Sequence, residues 1–329
     1  MMDFKLGETA SLLARTAPFL VFRFLIYFGI TLAYTLITGV GAGIGFGLGT
    51  IGGYAEAGGM WGGLIGFGVA GGIMYFLREY LLYLVKAGHI AVLVELLEGK
   101  SLPEGRGQID HAQAMVRERF AQSSVLFGLD QIIKGVLKAF NRAFFTITNF
   151  LPIPGIQGIA SFLNTIINLS LTYLDEVILA YNIRTKADNP WAASRTALVL
   201  YGQNYKDFLK NAVWLAFIIW GLTLLVFLIV LAPVAALVQV LPGTAGPLTL
   251  IIALVFAWAV KQSVIEPFGM TALMQVFFRI TEGQEPDPEW ETRLENLSNK
   301  FKELKDKATD WPGGQQTPDG NTPGGTPAN

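Results

Sequence analysis

The chain has 329 residues, 52% of them hydrophobic and only 15% charged, with a formal net charge of −1. A soluble domain carries about 25% charged residues, so this chain lacks the polar surface to cover itself in water. The near-neutral balance excludes a nucleic-acid partner held by bulk electrostatics, and the absence of cysteine excludes a disulfide framework, thiolate chemistry and Cys-ligated metal.

Uncharged runs reach the length of about 20 residues that crosses a bilayer as a helix. They predict an all-α polytopic membrane protein whose first partner is the lipid bilayer. Lys and Arg are missing between Arg23 and Arg78, between Arg142 and Arg184, and between Lys210 and Lys261. Each window contains a Gly or Pro turn: "GGYAEAGG" (52–59), "LPIPGIQG" (151–158) and "LPGTAGP" (241–247). The positive segments between them fall on the cytoplasmic side by the positive-inside rule. The expected topology is therefore six spans in three hairpins (17–38, 60–84, 125–150, 156–180, 211–233 and 247–267). Both termini lie in the cytosol, and the host is a plasma or inner membrane.

In chain order, residues 1–16 form a mixed polar cytoplasmic segment. The apolar run behind them is too long for the h-region of a cleavable signal peptide. Residues 17–84 are a glycine-rich transmembrane hairpin, in which "GVGAGIGFGLGTIGG" (39–53) places glycine at nearly every second position. Glycine costs about 1 kcal/mol inside a soluble helix. In lipid, however, small residues let helix backbones pack closely. At about 100° per residue, Gly39, Gly43 and Gly47 share one face, and Gly41, Gly45, Gly49 and Gly53 lie roughly opposite; Gly58, Gly62 and Gly66 follow. The helix is expected between two partners at short range. The segment from Arg23 to Gly53 is too long for one span, which predicts a bent or re-entrant piece after the first. As function the run supplies a moving element; as structure it is static packing.

Residues 85–124 read as a cytoplasmic helical segment. In 125–183, Asp130, Lys134, Lys138 and Arg142 recur at i, i+4 and form one stripe on an otherwise apolar helix. Either the stripe faces protein or water inside a bundle, or the helix lies in the interface and a re-entrant piece dips in. In the following span Gln157, Ser161, Asn164, Asn168, Thr172 and Asp175 share a face, with Glu176 beside them. Polar groups facing lipid are expensive, so this face looks into protein or water. It either lines a solute pathway or glues helices together. Residues 184–210 are a cytoplasmic loop, and 211–281 hold the last hairpin. There Lys261 and Glu266 interrupt an apolar run, and Pro267 is expected to kink the helix. Lys261 either pairs with Asp175, Glu176 or Asp130, or snorkels to the interface. Asn164, Asn168, Thr172, Asp175, Glu176, Tyr201, Lys261 and Glu266 are the candidate solute-pathway residues. Tyr173 and Tyr181 join Tyr201 as cation–π candidates should the solute be a quaternary amine.

Over 282–311 the residues Trp290, Leu294, Leu297, Phe301, Leu304, Ala308 and Trp311 follow an a/d seam of about three heptads. This amphipathic helix either docks on the same chain, self-associates into a homo-oligomer, binds a protein partner through Trp290, Leu294, Leu297, Phe301 and Leu304, or lies on the membrane. Residues 312–329 are a Pro/Gly/Thr tail expected to be disordered. No catalytic or cofactor-binding constellation is visible. His89 and His111 lack any paired-ligand spacing, and the glycine run lacks the Lys-Ser/Thr that completes a phosphate loop.

Three segments in order resemble the C-terminal membrane region of the choline-transporter-like family. "GGLIGFGVAGGIMYFLREYLLYL" (62–84) resembles its small-residue helix ending in a basic residue. "ALVLYGQNYKDFLKNAVWLAF" (197–217) is similar to its Tyr-Gly-x-Asn-aromatic pattern, through Tyr201, Gly202, Asn204, Tyr205, Asn211 and Ala212. "SVIEPFGMTALMQVFFRI" (263–280) resembles its Ser-Val-x-Gly-Met helix, with extra residues before Gly269 and Met270. The chain differs in lacking the family's cysteines and large extracellular loop and in carrying the heptad tail. The resemblance implies transport of choline or a related small cationic amine. The sequence thus leads to a small-solute transporter or permease. The alternative is a non-catalytic membrane scaffold or assembly factor acting through its cytoplasmic segments and C-terminal helix.

Overall fold

The computed structural model describes residues 2–103, 106–119, 123–149, 157–238, 254 and 256–311. Every regular element among them is helical. They are α1 (Leu6–Arg15), α2 (Ala17–Ile51), α3 (Ala55–Leu97), α4 (Arg106–Arg119), α5 (Ser123–Asn149), α6 (Gln157–Thr172), α7 (Leu174–Thr185), α8 (Pro190–Gln203) and α9 (Tyr205–Val238). After the chain re-enters through 256–260, a π turn (Lys261–Ile265) leads into α10 (Glu266–Ile280), α11 (Pro288–Leu297) and α12 (Asn299–Thr309). The turn at 241–247 and the tail 312–329 lie outside the described residues, as does most of the turn at 151–158.

Two apolar projections stand on a packed helical body. The first is the α2–α3 hairpin. In place of the bent or re-entrant piece expected after Arg23, α2 continues unbroken for 35 residues, about 52 Å at 1.5 Å per residue. The alternating glycines permit this, because α3 runs back along them at backbone contact. A Cβ built on Gly45 would fall on the carbonyl oxygen of Gly58, and one on Gly62 would fall on that of Gly41. The reversal is tight: Tyr54 N–H donates to Gly49 O at 2.8 Å. Gly53 supplies the left-handed φ of +75° that the turn requires. Outward from Leu36 the hairpin exposes Val40, Ile44, Leu48, Trp61, Leu64 and Ile65.

The second projection is α9. Among the described residues, Tyr205–Ala236 is long and apolar enough to cross a membrane by itself, its most apolar 18-residue stretch having a mean hydropathy of 2.9. The α1–α2 pair also passes that test as one broken segment, bent by 76°. At the bend, Thr16 is buried and its hydroxyl donates to Leu12 O at 3.1 Å. Only the foot of α9 enters the body, through Phe208, Ala212, Leu215 and Ile219.

The body forms around the second half of α3. Ala87, Ile90, Ala91, Val92, Leu93 and Val94 are buried on every side of that helix, so α3 runs through the middle rather than along the edge. Helices α4 and α7 pack on it, and α8 lies between α7 and the α11–α12 pair. The expected span 156–180 is not one straight helix. It breaks at Tyr173, and α7 beyond the break is a core element with Val177, Ile178 and Ala180 buried.

The heptad seam is likewise not one helix. Ser298 adopts an extended conformation (φ −145°, ψ 116°), ends α11, and starts α12 by accepting from Phe301 N–H at 3.4 Å. Leu294, Phe301 and Leu304 are fully buried, whereas Leu297 is turned out and 45% exposed. The last turn of α12 and the chain just after it are tied back too: Asn189 Nδ2 donates to Ala308 O at 2.7 Å, and Trp311 Nε1 to Asp188 O at 3.0 Å. Trp290 packs on Gly202 and against the Tyr205 ring, 5.7 Å between centroids.

Candidate functional site

Where the projections meet the body, charged side chains from five helices converge on a cavity of about 290 Å³. Arg23 and Tyr27, one turn apart, face it from α2. Tyr83 and Lys86 come from α3, Asp130 and Lys134 from α5, Thr172 from the end of α6, Glu176 from α7, and Glu266 and Met270 from α10. Tyr173 and Gln262 also line it. Two interruptions of regular helix among the described residues abut this space. One is the break at Tyr173 (φ −105°, ψ 6°). The other is the π turn before Pro267, whose ring cannot take part in the helical hydrogen-bond ladder. Gly269 joins the two: a Cβ there would lie 2.7 Å from the Tyr173 ring, so only glycine admits the tyrosine. Tyr173 then donates its hydroxyl proton to Glu266 Oε2 at 2.5 Å.

Most of the charges are paired. Lys86 donates to Glu176 Oε1 and lies 4.0 Å from Asp175 Oδ2. Lys134 pairs with Asp130 at 2.7 Å, one turn along α5, and Lys261 pairs with Glu266. Arg23 differs. It is only 5% exposed, and its Nε and Nη1 have no hydrogen-bond partner among the described residues. Glu176 Oε2 is also buried without one. Behind Arg23, fully buried His89 stacks on Phe19 at 5.0 Å, and its Nε2 meets Thr16 Oγ1 at 2.9 Å. Burial, followed by the nearby Arg23 charge, holds the pKa of His89 well below the usual imidazole range.

Of the residues read from the sequence as a solute pathway, Thr172, Glu176 and Glu266 line the cavity. Lys261 and Asp175 stand just behind, through Glu266 and Lys86. Asn168 sits one turn earlier on α6, where its carbonyl accepts from the Thr172 hydroxyl at 2.7 Å. The side chain of Asn164 lies outside the described residues. Tyr201 is elsewhere: it is buried in the body, with its hydroxyl 2.8 Å from Ser170 Oγ and its ring on Phe208. Tyr181 packs edge-on to Phe277, also away from the cavity.

The sequence reading missed Arg23 and Lys86 as site residues, because it used Arg23 as the end of an apolar window and placed Lys86 in a positive cytoplasmic segment. Their signal is that each stands inside a helix rather than in a loop, Arg23 less than two turns from the start of α2 and Lys86 about three turns from the end of α3. Asn211, a residue of the family-like pattern, ties down the N-terminal segment. Its Nδ2 donates to Asp3 Oδ2 at 2.6 Å and its Oδ1 accepts from Asp3 N–H at 2.7 Å.

The glycine set sorts by face. Gly41, Gly45 and Gly49 meet the backbone of Gly62, Gly58 and Tyr54, and Gly66 meets Ile37. Gly39, Gly43 and Gly47 face open space. Along the glycine run, α2 therefore has a close partner on one face and, among the described residues, none on the Gly39–Gly43–Gly47 face. The C-terminal residues Leu294, Phe301 and Leu304 are occupied by packing within the chain. No protein-family model, curated protein or solved structure matches this chain.

Proposed function

We propose that this chain is a multi-pass protein of the cytoplasmic membrane that binds a small charged solute in the Arg23–Glu266 cavity and moves it across the bilayer. In this reading the α2–α3 hairpin, and α9 with the chain that follows it, cross the membrane. The 125–183 segment enters without crossing as straight helices, and the body with both termini lies in the cytosol, next to the positive segments. The observation that carries the proposal is the meeting of two interrupted helices on one charged cavity. Membrane transporters use unwound helices at their solute sites, because the freed backbone groups and helix ends can bind polar ligands. A cavity of about 290 Å³ has room for roughly ten waters at about 30 Å³ each, or for a solute of similar bulk. Choline-like amines suit it through the Tyr27, Tyr83 and Tyr173 rings and the carboxylates of Glu176 and Glu266.

A second reading, a scaffold without transport, rests on the exposed Gly39, Gly43 and Gly47 row, a surface on which another membrane helix can pack.

The test is a melting-temperature screen of the detergent-solubilised protein against small amines, zwitterions and anions, followed by uptake into proteoliposomes. A ligand at 100 times its Kd adds about 2.7 kcal/mol, so a saturable shift with one solute class is expected, together with uptake lost in Glu176→Gln. No saturable shift and no uptake for any class would overturn the transporter reading.

A further inference from the structure

The cavity's charges are unevenly satisfied, and the remainder describes a ligand. Lys134 is taken by Asp130 and Lys261 by Glu266. Lys86 bonds one oxygen of Glu176, which leaves Glu176 Oε2 buried without a partner and Asp175 at 4.0 Å. On the facing helix, Arg23 is left with Nε and Nη1 unpartnered. A guanidinium cannot escape its charge by losing a proton. A buried ion without acceptors is costly until something supplies them. The site therefore has a guanidinium with two unpartnered nitrogens and a carboxylate with one unpartnered oxygen lining the same space.

We infer that the ligand of this cavity is a zwitterion: an oxyanion, phosphate or carboxylate, is accepted by Arg23, and an ammonium is held by the Glu176–Asp175 side. This inference rests on the solute-binding reading above and narrows it from a cation to a molecule carrying both charges. The same chemistry can arrive as a free metabolite-sized zwitterion or as the headgroup of an aminophospholipid, since the cavity sits where the apolar helices join the body.

The experiment is calorimetric titration of the delipidated, detergent-solubilised chain. The probes are phosphoethanolamine and β-alanine as free zwitterions, short-chain phosphatidylethanolamine as the lipid form, ethanolamine and choline as cations only, and inorganic phosphate as an anion only. At least one zwitterion should bind about tenfold or more tightly than either single-charge class, as expected for one additional hydrogen bond to a charged group. Arg23→Gln should remove that margin and leave ethanolamine binding unchanged, whereas Glu176→Gln should weaken the zwitterion and spare phosphate. If Arg23→Gln does not fold, Arg23→Lys serves, and it should retain part of the margin. Preference for the short-chain lipid assigns the headgroup as source, and preference for the free zwitterion assigns the soluble form. Choline or ethanolamine binding as tightly as every zwitterion, unaffected by Arg23→Gln, overturns the inference and leaves the solute-binding reading standing. Binding of no probe, single-charge or zwitterionic, counts against both.

Discussion

Gly45 and Gly43 are two residues apart on α2 and chemically identical, yet their surroundings are opposite. A Cβ at Gly45 meets the Gly58 carbonyl, while one at Gly43 meets nothing within 4 Å. Overpacking typically costs about 1–3 kcal/mol, and here the obstacle is backbone, which cannot rotate aside. Gly45→Leu should therefore lower the melting temperature sharply, and Gly43→Leu should leave it within about a degree or two, as expected for a substitution far from any contact. Equal effects at the two positions would show that α2 and α3 are not in register as described. The same logic separates Arg23 from the other cations at residue scale. Lys86, Lys134 and Lys261 each have a carboxylate at bonding distance, and Arg23 has none among the described residues.

Elements were legible in the sequence wherever one periodicity ran without a competing local signal. The glycine faces, the stripe on α5 and the Thr172–Glu176 end of the polar face could all be read from spacing, because a helix repeats every 3.6 residues whatever it packs against. Interruptions were not legible in the same way. At the break, the Tyr173 ring lies against Gly269, a contact across nearly a hundred residues of chain that spacing along one helix does not reveal. The heptad seam failed at Ser298, a residue that caps helices as well as it tolerates their interiors. That failure has a direct consequence for Leu297 and Phe301. In one continuous helix both belong to the seam, whereas here Leu297 is exposed and Phe301 is fully buried. Phe301→Asp should release α12 and destabilise the chain by several kcal/mol, as for a large buried side chain replaced by a charge. Leu297→Asp should be nearly silent. Limited proteolysis after residue 297 reads both, and comparable cleavage of the two variants would restore the single seam.

At the scale of the whole molecule, the division into projections and body is what sequence alone could not supply. The run in 174–183 closes a segment expected to span, yet it is buried by other helices, whereas α9 is covered by little of the described chain. Hydropathy measures the preference for leaving water and does not say whether lipid or protein is the destination. The absence of cysteine makes the proposed topology directly testable. Tyr54→Cys at the exposed hairpin turn should react with an impermeant maleimide added outside intact cells. Leu297→Cys should react only after permeabilisation. Labelling of both from the same side would remove the crossing hairpin.

Helix α3 belongs to both divisions at once. It runs 43 residues without a break, and Lys86 stands about 17 Å from its buried end and about 46 Å from the hairpin turn at 1.5 Å per residue. It is therefore a lever with its fulcrum at the cavity. A rotation about the Lys86 level that shifts the buried end by one ångström moves the turn nearly three.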